Sequence, residues 1–414
     1  MDQVDQSYPE SSSFLRRVRT GVVGPEHRFA VVVPRELAQI CSSEMDRIGI
    51  SAVETTEAGV EFTGKLKEAY NCHLWLRTAS RLFCRISSFR AGISEELFYK
   101  VSQIPWELWI NGEIPLQIEA EVVYSRISHE GKTADSVYGG IETRFRETTA
   151  GSLQVVRAWP EAEGDAVGPG GAGGLRQRLL VRLIRNHCQV SLDMTGSHLH
   201  ERGYRLEHTG APLRETLAAA ILLRAEWHGD TPIVDGMCGS GTFPIEAALL
   251  ARRMPPGAGR DFLFMKWPSF QQKTWEYLCK SADRSALGKA GENILGIDAD
   301  PGAISVSRGN GLRAGVEGVI EWKTMDFFDF HPQGMKKGLV TLNPPYGKRL
   351  EGGGRAFYER LGAHLRRNFQ GWKYAVIALS RSDGAAMNLG AMRFWNIRHG
   401  GLPVVVAMGS IQGQ

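Results

Sequence analysis

The chain has 414 residues, 43% of them hydrophobic, which is enough to fill two or three packed domains and excludes a disordered or fibrous protein. Its net charge of +4 permits a polyanionic partner without demanding one, and its six cysteines include no Cys-x-x-Cys pair, so neither a zinc knuckle nor a disulfide framework is supported. No apolar run reaches the roughly 18 residues of a membrane span and no signal-peptide pattern occurs, so a reducing, cytoplasmic setting away from the membrane is expected, with no metal.

Residues 1–28 are polar and charged and read as a flexible tail. From Phe29 the pattern is strand (29–33), helix (36–48), strand (59–62) and helix (65–78), a small α+β unit with no glycine-rich turn and a scaffolding role. Residues 80–91 form a strand candidate carrying Arg81, Arg85 and Arg90, followed by Trp106, Trp109 and Tyr124. Arginines interleaved with aromatics suit nucleic acid, although tryptophans at such spacing also serve as core. A helix is expected over 132–145. The run Gly164 to Gly174 contains six glycines and reads as a surface loop. Residues 179–184 and 189–193 alternate around Arg185-Asn186 and predict a hairpin, which places the domain boundary near Gly196.

The second part begins with Pro212 opening an Ala/Leu-rich helix, with Arg214 and Glu215 in its first turn. Then comes Ile233-Val234-Asp235-Gly236-Met237-Cys238-Gly239-Ser240-Gly241-Thr242, a short strand, a glycine turn and an immediate helix. Backbone can approach a nucleotide-type ligand closely there, while the helix N–H groups face it. The dinucleotide fingerprint is broken, because its third glycine would fall at Pro244, so hydride chemistry is disfavoured. Asp235 is an acceptor for a ligand ammonium group, and Met237 and Thr242 share its turn. After an insertion over 252–291, strand 294–298 ends in Asp298, placed to take both hydroxyls of a ribose. A helix (301–314) and a strand (319–324) lead to Asp326-Phe327, a carboxylate for an adenine amine and a ring to cover the base. Strand 338–342 ends at Asn343-Pro344-Pro345-Tyr346. The Asn343 side-chain oxygen and the Pro344 carbonyl are convergent acceptors for an exocyclic amine, and Tyr346 offers a stacking face. Lys348 and Arg349 follow as phosphate-binding candidates. A helix (356–368), a strand (374–379) and a closing hairpin (392–397 with 404–411) complete a doubly wound α/β sheet.

This order of landmarks resembles the class I, Rossmann-like S-adenosyl-L-methionine-dependent methyltransferases. Within that class, Arg202-Gly203-Tyr204-Arg205, the run Ala211 to Ala220, Asp235 to Gly241 and Asn343 to Leu350 are similar to the THUMP-containing RNA guanine-N2 methyltransferases, in particular those acting on large-subunit (23S) rRNA. The resemblance implies a ferredoxin-like subdomain plus THUMP domain over 29–195 that binds RNA, and one methyltransferase domain over 196–414. It implies S-adenosyl-L-methionine held by Asp235, Met237, Gly239, Gly241, Thr242, Asp298, Asp326 and Phe327. It also implies transfer at Asn343, Pro344, Pro345 and Tyr346, and RNA contacts from Arg205, Arg214, Lys348 and Arg349. Two departures stand out: Gly236 occupies a position where the family usually has proline, and the glycine-rich run falls inside the THUMP region. A second methyltransferase domain is not expected. A tRNA guanine-N2 methyltransferase and a non-catalytic RNA-binding or assembly factor are the alternatives.

Overall fold

In a computed structural model, which describes residues 11–52, 54–148, 175–207, 213–287, 294–345 and 354–412, the chain builds two sheets of seven strands each. The glycine-rich run over 164–174 and Pro212 lie outside the described residues. The first sheet holds β1 (His27–Val32), β2 (Glu54–Thr56), β3 (Gly59–Gly64), β4 (Arg81–Arg90), β5 (Leu116–Val123), β6 (Gln177–Ile184) and β7 (His187–Asp193), ordered β2-β3-β1-β4-β7-β6-β5. Its pairs are antiparallel apart from β5 with β6. Strand β6 shows why only one face is covered: Leu179, Val181 and Leu183 are buried, while Arg178 and Arg182 between them face outward. Arg185 and Asn186, at φ 50° and 62°, make the tight turn from β6 into β7.

Residues 11–28 are not a flexible tail. A helix over Ser12–Val18 runs into a π-turn at Arg19–Val23, with Val18 and Val22 buried. Phe14, Val18 and Val22 recur every four residues, so this short stretch has an apolar stripe that three flanking arginines obscure in a composition reading. The helix Ser94–Ser102 and strand β5 were also absent from the sequence expectation. Trp106 and Trp109 are buried core residues.

The second sheet holds β8 (Ile233–Asp235), β9 (Ile294–Asp298), β10 (Ile320–Thr324), β11 (Leu339–Leu342), β12 (Lys373–Ala378), β13 (Met392–His399) and β14 (Leu402–Ser410), ordered β10-β9-β8-β11-β12-β14-β13. Strands β8 to β12 pair in parallel, and β14 runs antiparallel between β12 and β13. Chain direction across the sheet reverses at β8, with β9 on one side and β11 on the other. That switch point opens a crevice at the carboxyl ends of the strands.

The segment between β8's following helix and β9 joins the two sheets. Phe264 donates its N–H to the Met194 carbonyl at 3.0 Å, and Gly257 donates to Leu74 at 3.0 Å. The Phe264 ring stacks on Tyr70 at 4.4 Å, and the Trp267 indole donates to the Gln177 side chain at 2.8 Å. Aromatic area thus seals a contact that backbone hydrogen bonds place in register. No helix among the described residues is long and apolar enough to cross a membrane.

His73 sits in this contact, fully buried, with Nδ1 2.8 Å from the Ala69 carbonyl and Nε2 3.1 Å from the Thr195 hydroxyl. An Nδ1–H donor to the carbonyl leaves Nε2 to accept from the hydroxyl, so the ring is neutral. Burial, with Arg260 adding to it, pushes its pKa from 6.5 down to about 3. An unfolded chain therefore takes up a proton that the folded chain refuses. The stability His73 contributes is full above its unfolded pKa and is lost as pH falls toward the folded one, by about 2 kcal/mol at pH 5. Urea unfolding between pH 7 and 5 should show this loss, and His73→Gln should flatten the slope; equal slopes for both proteins would remove His73 as its source.

Candidate active site

The turn after β8 is laid across its neighbours. Gly236 donates its N–H to the Thr341 carbonyl of β11 at 3.2 Å, and Cys238 donates to the Ile297 carbonyl of β9 at 2.9 Å. Asp298 then acts as a fork: Oδ2 accepts from the Gly239 N–H at 2.8 Å and Oδ1 from the Asp300 N–H at 3.0 Å. Gly241, at φ 84°, ends the turn in a left-handed conformation that also leaves no room for a Cβ beside Trp322, and helix Thr242–Ala251 starts at once.

Two residues that the sequence reading passed over hold this loop from behind. Ser307 donates to the Gly239 carbonyl at 2.7 Å, and Asn310 donates to the Ser240 carbonyl at 2.9 Å, both from the buried face of helix Pro301–Arg313. A buried asparagine in mid-helix was the available signal, since helix interiors disfavour it unless the side chain has work elsewhere.

Asp235 is 2% exposed, and among the described residues its carboxylate accepts a single long hydrogen bond, from the Met237 N–H at 3.4 Å. Burial pushes its pKa well up, and the nearby Asp298 charge adds to that. Among the described residues no cation pairs with it, so its charge is left uncompensated in a buried position. Asp326 lies exposed at the end of β10, where Oδ1 caps the turn Phe327–Asp329 through the Phe328 N–H at 2.9 Å. The Phe327 ring does not lie open above a ligand. It is 2% exposed and packs under the glycine turn, where a Cβ on Gly236 would stand 2.3 Å from the ring. Gly236 is therefore the residue that admits the phenylalanine. Outside it, Phe328 is half-buried with the Arg360 guanidinium 3.8 Å from its centroid.

Strand β11 pairs Thr341 with Asp235 of β8, so Asn343 leaves the sheet beside the glycine turn. Asn343 is half-buried, Pro344 buried and Pro345 exposed. Tyr346, Lys348 and Arg349 lie outside the described residues. Arg205 is mostly buried, donating to the Leu213 carbonyl at 2.8 Å and pairing with Glu215. Burial outweighs that pairing and lifts the Glu215 carboxyl to about 7. Arg205 thus anchors the start of helix Glu215–Arg224, whereas Arg214 is exposed at its N-cap.

The family description "RMKL-like, methyltransferase domain" matches residues 202–405, and "RlmL ferredoxin-like domain" matches residues 28–83. A Synechocystis sp. protein described as an RNA methyltransferase is 30% identical over 398 residues, covering 95% of this chain and 97% of its own. The chain belongs to the RlmL-like methyltransferase family. A ribosomal RNA large subunit methyltransferase K/L of Vibrio parahaemolyticus is 31% identical over 91% of this chain, which spans about half (52%) of that relative's length. Among solved structures, a methyltransferase complexed with SAH superposes with a TM-score of 0.78 at 25% identity, covering 94% of this chain and 98% of its own.

In this methyltransferase the Gly236–Phe327 contact couples the turn after β8 to the turn after β10. Gly236→Ala should overpack that contact and cost about 1–3 kcal/mol, read by urea unfolding. Phe327→Leu in the same chain should recover part of the loss, and strictly additive effects would show that the two residues are uncoupled.

Proposed function

We propose that the protein transfers the methyl group of S-adenosyl-L-methionine to the exocyclic N2 of a guanosine in 23S rRNA. The observation that carries this reading is the meeting, at one sheet edge, of a buried carboxylate with no cation partner among the described residues (Asp235), the forked acid Asp298 and the Asn343-Pro344 corner. When bound, S-adenosyl-L-methionine supplies a methyl group made electrophilic by its sulfonium. Asp235 offers the charge complement to the ligand's ammonium. Asp298, already fixed to the Gly239 and Asp300 N–H groups, presents its carboxylate to the ribose hydroxyls. Met237, Gly239, Gly241 and Thr242 line the approach, and Asp326 accepts from the adenine amine. Phe327 contributes from beneath the loop.

The guanine N2 lone pair is delocalised into the ring and is a weak nucleophile. Acceptance of its two N–H groups by the Asn343 side chain and the Pro344 carbonyl turns the lone pair outward and offsets the positive charge that develops as the new N–C bond forms. The proton released from N2 afterwards passes to water. Pro345 stiffens the corner and Tyr346 stacks on the target base. Lys348, Arg349 and Arg214 take flanking phosphates, a use for which Arg205 is less suited because Glu215 already holds it. Residues 29–195, read as a ferredoxin-like and THUMP region, deliver the RNA, and the cytoplasm is the setting.

Incubation with labelled S-adenosyl-L-methionine and separate unmodified rRNA and tRNA pools should yield N2-methylguanosine in rRNA. Label in tRNA or in adenosine would overturn the reading. Asn343→Ala should lower transfer by at least about 100-fold, the scale of one lost transition-state hydrogen bond, while calorimetry still detects cofactor binding. Asp298→Ala should weaken cofactor binding first. Wild-type turnover by Asn343→Ala would remove that residue from the reaction.

A further inference from the structure

The arginine and aromatic run of the first sheet is divided by the fold into two groups with different fates. Trp106 and Trp109 are core. Along the strands, Arg28 and Arg85 both meet Glu61, at 2.6 and 2.7 Å, Arg28 also meets Glu54 at 3.0 Å, and Arg81 meets Asp193 at 2.6 Å. Arg178 meets Glu119 at 2.5 Å and Arg182 meets Glu121 at 2.6 Å. Those charges are cancelled in place. Arg90, Arg126 and Arg185 are exposed and make no ion pair with any described residue. Beside them stands Tyr124, 86% exposed, more than any other large hydrophobic side chain among the described residues.

These four residues share one end of the sheet. Arg90 pairs in register with His187, next to the Arg185-Asn186 turn, and Arg185 donates its N–H to the Val123 carbonyl at 3.0 Å. Arg126 donates its N–H to the Asn186 side chain at 2.7 Å, Asn186 donates to the Ser125 hydroxyl at 3.0 Å, and Ala91 donates to the Asn186 carbonyl at 2.9 Å. Tyr124, with φ 48°, is held outward by these ties in a backbone conformation that tyrosine seldom adopts. Glu96, the carboxylate beside Gly92, is occupied by Lys100 at 2.6 Å and by the Gly92 N–H at 2.9 Å. A solvent-facing ring at the same end of the sheet as three exposed arginines that make no ion pair with a described residue is complementary to an unstacked base and its phosphates. The opposite end of β4 faces the methyltransferase half, since Arg81 donates to the Gly196 carbonyl and Met194 accepts from Phe264. The ten residues of β4 put about 30 Å between its two ends.

We propose that this remote end of the first sheet is a second docking point for the substrate RNA, where an unpaired base stacks on Tyr124 while Arg90, Arg126 and Arg185 hold its phosphates. The inference rests on the RNA reading above. It is tested with the full chain and a fluorescein-labelled single-stranded RNA of about 20 nucleotides and mixed sequence, beside the same strand in a duplex. Tyr124→Asn removes the ring with a residue that tolerates positive φ, so the turn keeps its shape. Its Kd for the single strand should rise about five- to 150-fold, the equivalent of one stacked base, with little change for the duplex. Tyr124→Trp should retain binding. Arg126→Gln and Arg185→Gln should each reduce the slope of log Kd against log salt by about 0.7. Wild-type affinity in Tyr124→Asn, or a loss confined to the duplex, would overturn the proposal. Unchanged S-adenosyl-L-methionine binding by calorimetry reports an intact fold. Single strands that bind through Tyr124 while no RNA accepts methyl would sink the reaction and leave the docking point; unaltered KM for long rRNA in Tyr124→Asn would do the reverse.

Discussion

Buried charge that can be satisfied only across the boundary between the two sheets holds this molecule in one arrangement. Arg77, from the first half, is 5% exposed and donates to the Met254 carbonyl at 2.6 Å and the Leu249 carbonyl at 3.3 Å in the second. Its own N–H goes to Glu44 at 2.9 Å, and its carbonyl accepts from Arg202 at 2.5 Å. Arg202 in turn lies 3.6 Å from Glu246 on the helix that starts at the glycine turn. Removing charges from water is costly, so such a cluster adds little net stability against an apolar substitute. What it contributes is specificity, because another orientation of the halves takes the Leu249 and Met254 carbonyls from Arg77 and the Arg77 carbonyl from Arg202.

The same network reaches the site by hydrogen bonds alone. Tyr204 donates to Glu246 at 3.1 Å, Arg313 donates to the Tyr204 carbonyl at 2.8 Å and to Asn310 at 2.5 Å, and Asn310 donates to the Ser240 carbonyl. The glycine turn is therefore held on three sides, by β9 through Cys238, by β11 through Gly236 and by this chain through Ser240. Its peptide groups keep their orientation without a ligand, which lowers the entropy cost of binding one. Placement of the first half and geometry of the turn are set by one connected set of buried groups.

Much of this was legible in the sequence, and what was not has a common cause. Strand β9 was read to the residue, because its apolar run ends in a single acid, and the closing hairpin was announced by its two neighbouring apolar runs. Acids at strand ends are local signals. The helix over Ser12–Val18 was missed because its stripe of Phe14, Val18 and Val22 sits among arginines, and β5 because its covered face depends on a parallel partner about sixty residues away. The place of Phe327 depends on Gly236, ninety residues earlier, and no periodicity connects them. Tertiary packing decides such positions.

The Gly236–Phe327 contact shows how one sequence departure is absorbed. A proline ring would stiffen the turn from within, whereas glycine alone would leave it loose. Here stiffness comes from outside: the Phe327 ring fills the space that a Cβ would need, and the Gly236 N–H, which a proline would lack, bonds to Thr341. That hydrogen bond ties the turn to β11 shortly before Asn343, so the glycine links the turn proposed for the cofactor to the corner proposed for the target amine. A proline at 236 would lose the N–H and meet the ring. In this chain the two turns and the corner are packed as one unit, and the identity of residue 236 follows from that packing.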